Sequence, residues 1–172
     1  ANGDTHPDLI VASGGNEYYG PDTHLSPRLY MNDGTGLLSK KEDAFSQLFL
    51  TASCVTPFDF DNDGKKDLFI SSGIVKRPVD LDYIRFVSDL SINKGLDKTD
   101  KYDQEAIEAM PDGSSHPYFF QSGSNYLFSD VSNAWGTTSL KGYFNGAAYA
   151  DLDGDGDLDM VINAINDEAV VL

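Results

Sequence analysis

Two stretches of the sequence crowd carboxylates at alternate positions. Asp59-Phe-Asp61-Asn-Asp63-Gly64-Lys65-Lys-Asp67 and Asp151-Leu-Asp153-Gly-Asp155-Gly156-Asp157-Leu-Asp159 both follow D-x-D-x-D-G-x-x-D, and both run on into apolar residues. Four such aspartates within nine residues repel one another unless a cation neutralises them. Calcium suits the pattern, because it is hard, prefers oxygen, and accepts about 6–8 ligands from alternate positions of a tight loop. Magnesium suits it less, since it keeps its waters and a rigid octahedron. In the first stretch Asp59, Asp61, Asp63 and Asp67 are expected to supply side-chain oxygens and Lys65 its backbone carbonyl. In the second, Asp151, Asp153, Asp155 and Asp159 do so with the carbonyl of Asp157. Gly64 and Gly156 stand at the sharp bend, where a positive φ suits glycine. An EF-hand is excluded: it needs a Glu at loop position 12, and Ile70 and Ile162 stand there instead. The alternative to a metal site is a solvated acidic turn.

A degraded third copy opens the chain, Asn2-Gly-Asp4-Thr5-His6-Pro7-Asp8, with Thr5 in the glycine position. Asn2, Asp4 and Asp8, with the carbonyl of His6, are its candidate ligands, and its first acidic position would precede Ala1.

The elements that position these loops repeat with them. Each acidic loop leads into an apolar run, and a second strand then enters a tight turn, as in Arg28-Leu-Tyr-Met-Asn-Asp-Gly-Thr-Gly36 and Tyr118-Phe-Phe-Gln-Ser-Gly-Ser-Asn125. A full unit is therefore four short strands, in the middle copy about residues 51–58, 67–72, 117–121 and 126–131. Short strands joined by tight turns form an antiparallel meander, the blade of a propeller. One meander buries too little alone, so neighbours must stack. The fold expected is all-β: a partial β-propeller of four-stranded antiparallel blades with calcium loops and a small helical insertion. Residues 1–50 are expected as a partial blade, 51–136 as a blade carrying the insertion 75–116, and 137–172 as another partial blade.

The insertion follows from spacing. Asp8, Asp67 and Asp159 stand 59 and then 92 residues apart, which leaves a 33-residue excess in the middle unit. Within it Leu81, Ile84, Val87 and Leu90 recur at helical spacing, and a second helix over about 100–110 ends at Pro111.

The 172 residues carry 28 Asp+Glu against 12 Lys+Arg, a net charge of -16, which argues against a nucleic-acid partner. Their 40% hydrophobic content is too high for a disordered acidic tail. Cys54 is the only cysteine and reads as a small hydrophobe in a strand. No G-x-S-x-G, H-E-x-x-H or P-loop occurs, and no catalytic constellation stands out.

The acidic motif, its apolar strand and the strand ending in Asn-Asp-Gly-Thr-Gly resemble the FG-GAP/VCBS repeats of integrin alpha chains and many bacterial surface proteins; Gly142 to Asn163 resembles the VCBS-type members in particular. The resemblance implies a β-propeller, structural Ca2+ at the aspartates named, and a non-catalytic module for adhesion, binding or scaffolding. It also implies that further blades come from sequence beyond this chain or from a partner, and that ligands meet the face opposite the calcium loops. On that face the loop 14–24 offers Tyr18, Tyr19 and His24 as candidate contacts for a protein or glycan ligand. Packing against a neighbouring blade is the plainer role for all three, and anchoring a junction between blades is the plainer role for Trp135. The setting expected is the bacterial cell surface or secreted space. Two alternatives are a structural subunit of an outer-membrane surface complex docking through 75–116, and an exported polysaccharide-acting enzyme with its site opposite the calcium.

Overall fold

In a computed structural model of the protein, residues 4–15, 18, 21–45, 48–77, 83–85, 88–89 and 104–172 are described. They form ten strands: β1 (Leu9–Val11), β2 (Arg28–Asn32), β3 (Leu38–Lys41), β4 (Ala52–Phe58), β5 (Asp67–Ser72), β6 (Tyr118–Ser122), β7 (Phe128–Asp130), β8 (Phe144–Ala150), β9 (Asp159–Ala164) and β10 (Val170–Val171). The strands pair antiparallel within three sheets, β1-β2-β3, β4-β5-β6-β7 and β10-β9-β8.

The middle sheet has neighbours on both faces, and its sequence says why. Successive side chains of a strand point to opposite sides. Leu68 and Ile70 of β5, with Phe120 of β6, turn towards Leu29, Ala44 and Leu50 of the first unit. Phe69 and Phe119 turn the other way, to Phe144, Met160 and Ile162 of the third. A strand apolar on both faces reads as an unbroken run, and all six residues of β5 are buried. Trp135 closes the second seam: its ring stacks on Phe119 at 5.5 Å and meets Phe60 edge-on at 4.7 Å.

Backbone contacts tie the units as well. The Phe128 amide donates to the Ala44 carbonyl at 2.7 Å, and Phe45 stacks on Phe128 with ring centres 5.1 Å apart. The Ala52 amide donates to the Ser13 carbonyl at 3.2 Å, beside Gly14, where a Cβ would stand 1.9 Å from the Ala52 oxygen.

One strand is shorter than its sequence suggests. The run 126–131 begins as a strand only at Phe128, because Asn125 and Tyr126 take positive φ of 57° and 62° in a single helical turn. In the insertion, residues 83–85 and 88–89 are helical, and the second helix spans Gln104–Ala109. Leu81, Val87 and Leu90 lie outside the described residues. The insertion's return limb bridges two sheets: Ile74 pairs with Gly113, and Ser115 with Gly142. Antiparallel order puts the acidic loops and the β2–β3 and β6–β7 turns at one end. The β1–β2 loop, the insertion and the β9–β10 turn lie at the other.

Candidate metal centre

The middle and third acidic loops each leave one strand and enter the next, so the last aspartate of each is already the first residue of that strand. Asp67 and Asp159 open β5 and β9. In the middle loop Asp59, Asp61 and Asp67 each bring a carboxylate oxygen within 4.8 Å of the others; in the third, Asp151, Asp153 and Asp159 do the same. Two oxygens on one calcium are separated by at most twice the bond of about 2.3–2.6 Å, so both triads fit a single ion of that size. An all-carboxylate set is the donor chemistry that calcium prefers over softer metals.

At matching positions the described loop backbone is left-handed. Gly64 and Gly156 have φ of 85° and 99°, and Thr5 follows at 75° despite its β-branched side chain. Asn62 and Gly154, three residues after the loop begins, are left-handed too, at 58° and 79°. The amides of Gly64 and Gly156 donate to Asp59 Oδ2 at 2.9 Å and Asp151 Oδ2 at 3.2 Å.

The third aspartate of each loop stands apart from its triad. Asp63 Oδ1 accepts the Lys65 amide at 2.8 Å, and its other oxygen is paired with the Lys65 ammonium. That contact holds the Asp63 carboxyl below its ordinary value and raises the Lys65 amine. Asp155 Oδ1 accepts the Asp157 amide at 2.9 Å, and Asp4 Oδ1 the His6 amide at 2.9 Å. All three carbonyl candidates, Lys65, Asp157 and His6, thus sit in turns closed by the preceding carboxylate. Among the described residues Asp4 and Asp8 form no third carboxylate triad, and Asn2 lies outside those residues. The His6 ring packs over Gly34, where a Cβ would come within 2.6 Å of Nε2.

Asp67 carries the electrostatic tension. It is fully buried, and burial, ahead of the like charges of Asp61 and Asp63, pushes its carboxyl above the ordinary value. Amides of Ser122 at 2.7 Å and Phe60 at 3.3 Å partly offset this by donating to its oxygens. The pattern recurs: Asp159 accepts from Leu152 at 2.7 Å, and Asp8 from Asn32 at 2.9 Å. Asp67 and Asp8 therefore tie their acidic loops to β6 and β2, while the Leu152 contact of Asp159 closes the third loop on itself.

Three contacts at this end carry no signal in the aspartate spacing. Gln121 donates from Nε2 to Asp61 Oδ2 at 2.6 Å, fixing one carboxylate of the triad. Asn62 donates from Nδ2 to Asp157 Oδ1 at 3.2 Å and so links two acidic loops across the seam between sheets. Ser122 donates its amide to Asp67 Oδ1. Asn62 alone had a clue, since Asn is the residue other than Gly that takes a left-handed turn most readily.

Residues 1–70 match the family model described as FG-GAP-like repeat. That stretch is similar to an FG-GAP-like repeat. The matched stretch runs from the degraded first loop through the middle acidic loop into β5. The third loop lies beyond it and repeats the carboxylate triad of the FG-GAP-like stretch. No curated protein and no solved structure matches the chain.

At the opposite end, Tyr18 stacks on His24 with ring centres 4.3 Å apart and planes 5° from parallel. His24 Nδ1 lies 2.6 Å from Asp22 Oδ1, and that carboxylate also accepts the His24 amide at 2.9 Å, which holds Asp22 below its ordinary value. Tyr18 and His24 thus satisfy one another within their own loop, and Tyr19 lies outside the described residues.

Proposed function

We propose that the chain is part of a calcium-stabilised β-propeller that serves as a non-catalytic binding module at the cell surface or in the secreted space of a bacterium. The observation that supports it most is the recurrence of one carboxylate triad, Asp59/Asp61/Asp67 and Asp151/Asp153/Asp159, at the same point of successive sheets. Calcium bound there would neutralise Asp67, whose burial otherwise opposes ionisation, and would fix the loop that starts β5. Extracellular modules of this kind work at millimolar calcium, which is available outside cells and not in the cytosol. Stacking explains the ring: sheets apolar on both faces, as the middle one is, need neighbours on both sides. The ligand is a protein or a glycan met on the end opposite the acidic loops.

Thermal melts in calcium and in excess chelator test this reading. Calcium should raise the midpoint of the wild type, and Asp61→Asn or Asp153→Asn should each remove part of that rise. A cooperative melt indifferent to calcium would contradict it.

A further inference from the structure

At the end opposite the acidic loops, a cavity of about 470 Å³ opens along the seam between the first two sheets. That size is typical of small-molecule sites. Pro21 and Leu25 of the β1–β2 loop form one side, and Ser72 at the end of β5 contributes to the floor. Ser72 alternates with Leu68 and Ile70, so it points to the same seam as they do. It is 1% exposed, and its hydroxyl has no hydrogen-bond partner. A buried hydroxyl left unpaired is costly and calls for an explanation. A polar group of a bound molecule reaching this floor would supply the missing partner.

The remaining wall sets the chemistry. Arg77 and Asp112 both line the cavity and bring one positive and one negative group, with the hydroxyl-bearing Ser114 beside them. Asp112 is held in place by the Tyr143 hydroxyl at 2.7 Å and the Ser114 hydroxyl at 2.8 Å, and these bonds keep it ionised. Tyr118 adds an aromatic ring to the same wall. An apolar ligand would leave the Ser72 hydroxyl unpartnered and offer nothing to the charged groups of Arg77 and Asp112. An acidic one would meet a chain of net charge -16. What fits is an uncharged molecule rich in hydroxyls with one apolar face: hydroxyls can donate to the carboxylate and accept from the guanidinium, while the C–H face lies against the ring.

We propose that this cavity binds a neutral sugar residue. The inference deepens, and rests on, the reading of the chain as a binding module.

The test is saturation-transfer NMR and titration of the full chain with the methyl glycosides of glucose, galactose, mannose and N-acetylglucosamine, with methyl glucuronide as the charged comparison. At least one neutral glycoside should bind, and Arg77→Ala should weaken it about tenfold or more, the value of a hydrogen bond to a charged group. Ser72→Ala is the variant safe for folding, because it removes a hydroxyl that has no partner; it should keep or raise the melting midpoint and still weaken the glycoside. Absence of binding by every neutral glycoside at about 10 mM would overturn the proposal. So would binding that survives both substitutions, or binding of the glucuronide alone. A calcium-dependent melt with no sugar binding would overturn the cavity assignment and leave the calcium-stabilised module standing; sugar binding with no calcium effect would do the reverse.

Discussion

Asp67→Asn should act with opposite weight in calcium and in chelator. Asp67 is fully buried and accepts two amides, Ser122 at 2.7 Å and Phe60 at 3.3 Å. Asparagine keeps one acceptor oxygen, enough for the shorter bond, and gives up the longer and weaker one. It also removes a charge whose ionisation burial disfavours. In chelator the loss and the relief nearly cancel, so stability should change by no more than about 1 kcal/mol. In calcium the variant loses a ligand. An ion at about 100 times its dissociation constant stabilises by about 2.7 kcal/mol. In a domain of this size, 1 kcal/mol corresponds to about 2–4 °C. The calcium-induced rise should therefore shrink by about 5–11 °C, with the third loop still responding. Asp67→Ala separates the two roles, since it leaves both buried amides without an acceptor and should cost about 2–4 kcal/mol in either condition. Differential scanning fluorimetry at two calcium concentrations reads all of this. If Asp67→Asn keeps the whole calcium increment, Asp67 is no ligand. If it falls by the same several degrees in chelator as in calcium, its role is that of a backbone acceptor alone.

Other outcomes follow from single contacts. Gly14→Ala puts a Cβ 1.9 Å from the Ala52 oxygen and should cost about 1–3 kcal/mol in chemical unfolding, by prising the β1–β2 loop from β4. Asn62→Ala removes the link to Asp157 and should leave the two acidic loops binding calcium independently, seen as loss of any coupling between two calorimetric binding steps. Asp112, held down to about 2 chiefly by the Tyr143 hydroxyl, stabilises the folded chain above its ordinary unfolded value of 3.8, and that contribution is lost as pH falls towards about 2. Tyr143→Phe should lower the melting midpoint near pH 7 and leave it little changed near pH 2, so that the acid limb flattens; an unchanged midpoint near pH 7 and an unchanged acid limb would count against the contact.

The strands were legible where physics makes sequence redundant. Asp67 ends a loop that needs carboxylates and begins a run, Leu68-Phe69-Ile70, that only a strand covered on both faces accommodates; the observed β5 is that run. The tight turn after β2 was legible from Asn-Asp-Gly, whose Gly34 has φ of 82°. The turn after β6 was less so, because Asn125 and Tyr126 take left-handed angles that a tyrosine does not advertise. At the acidic loops the aspartates were readable from alternation, whereas Gln121 and the partner of Asn62 depend on which strand lies beside which. Ser72 was invisible for the same reason: a serine in an apolar strand declares nothing until the seam around it is built.

The most direct test of the central claim is a calorimetric calcium titration of the chelator-stripped, folded chain. Two ions per chain should bind, one lost in Asp61→Asn and the other in Asp153→Asn, with each loss lowering the melting midpoint in calcium. A folded chain that takes up no calcium at millimolar concentration, or one whose uptake survives both substitutions, would contradict it.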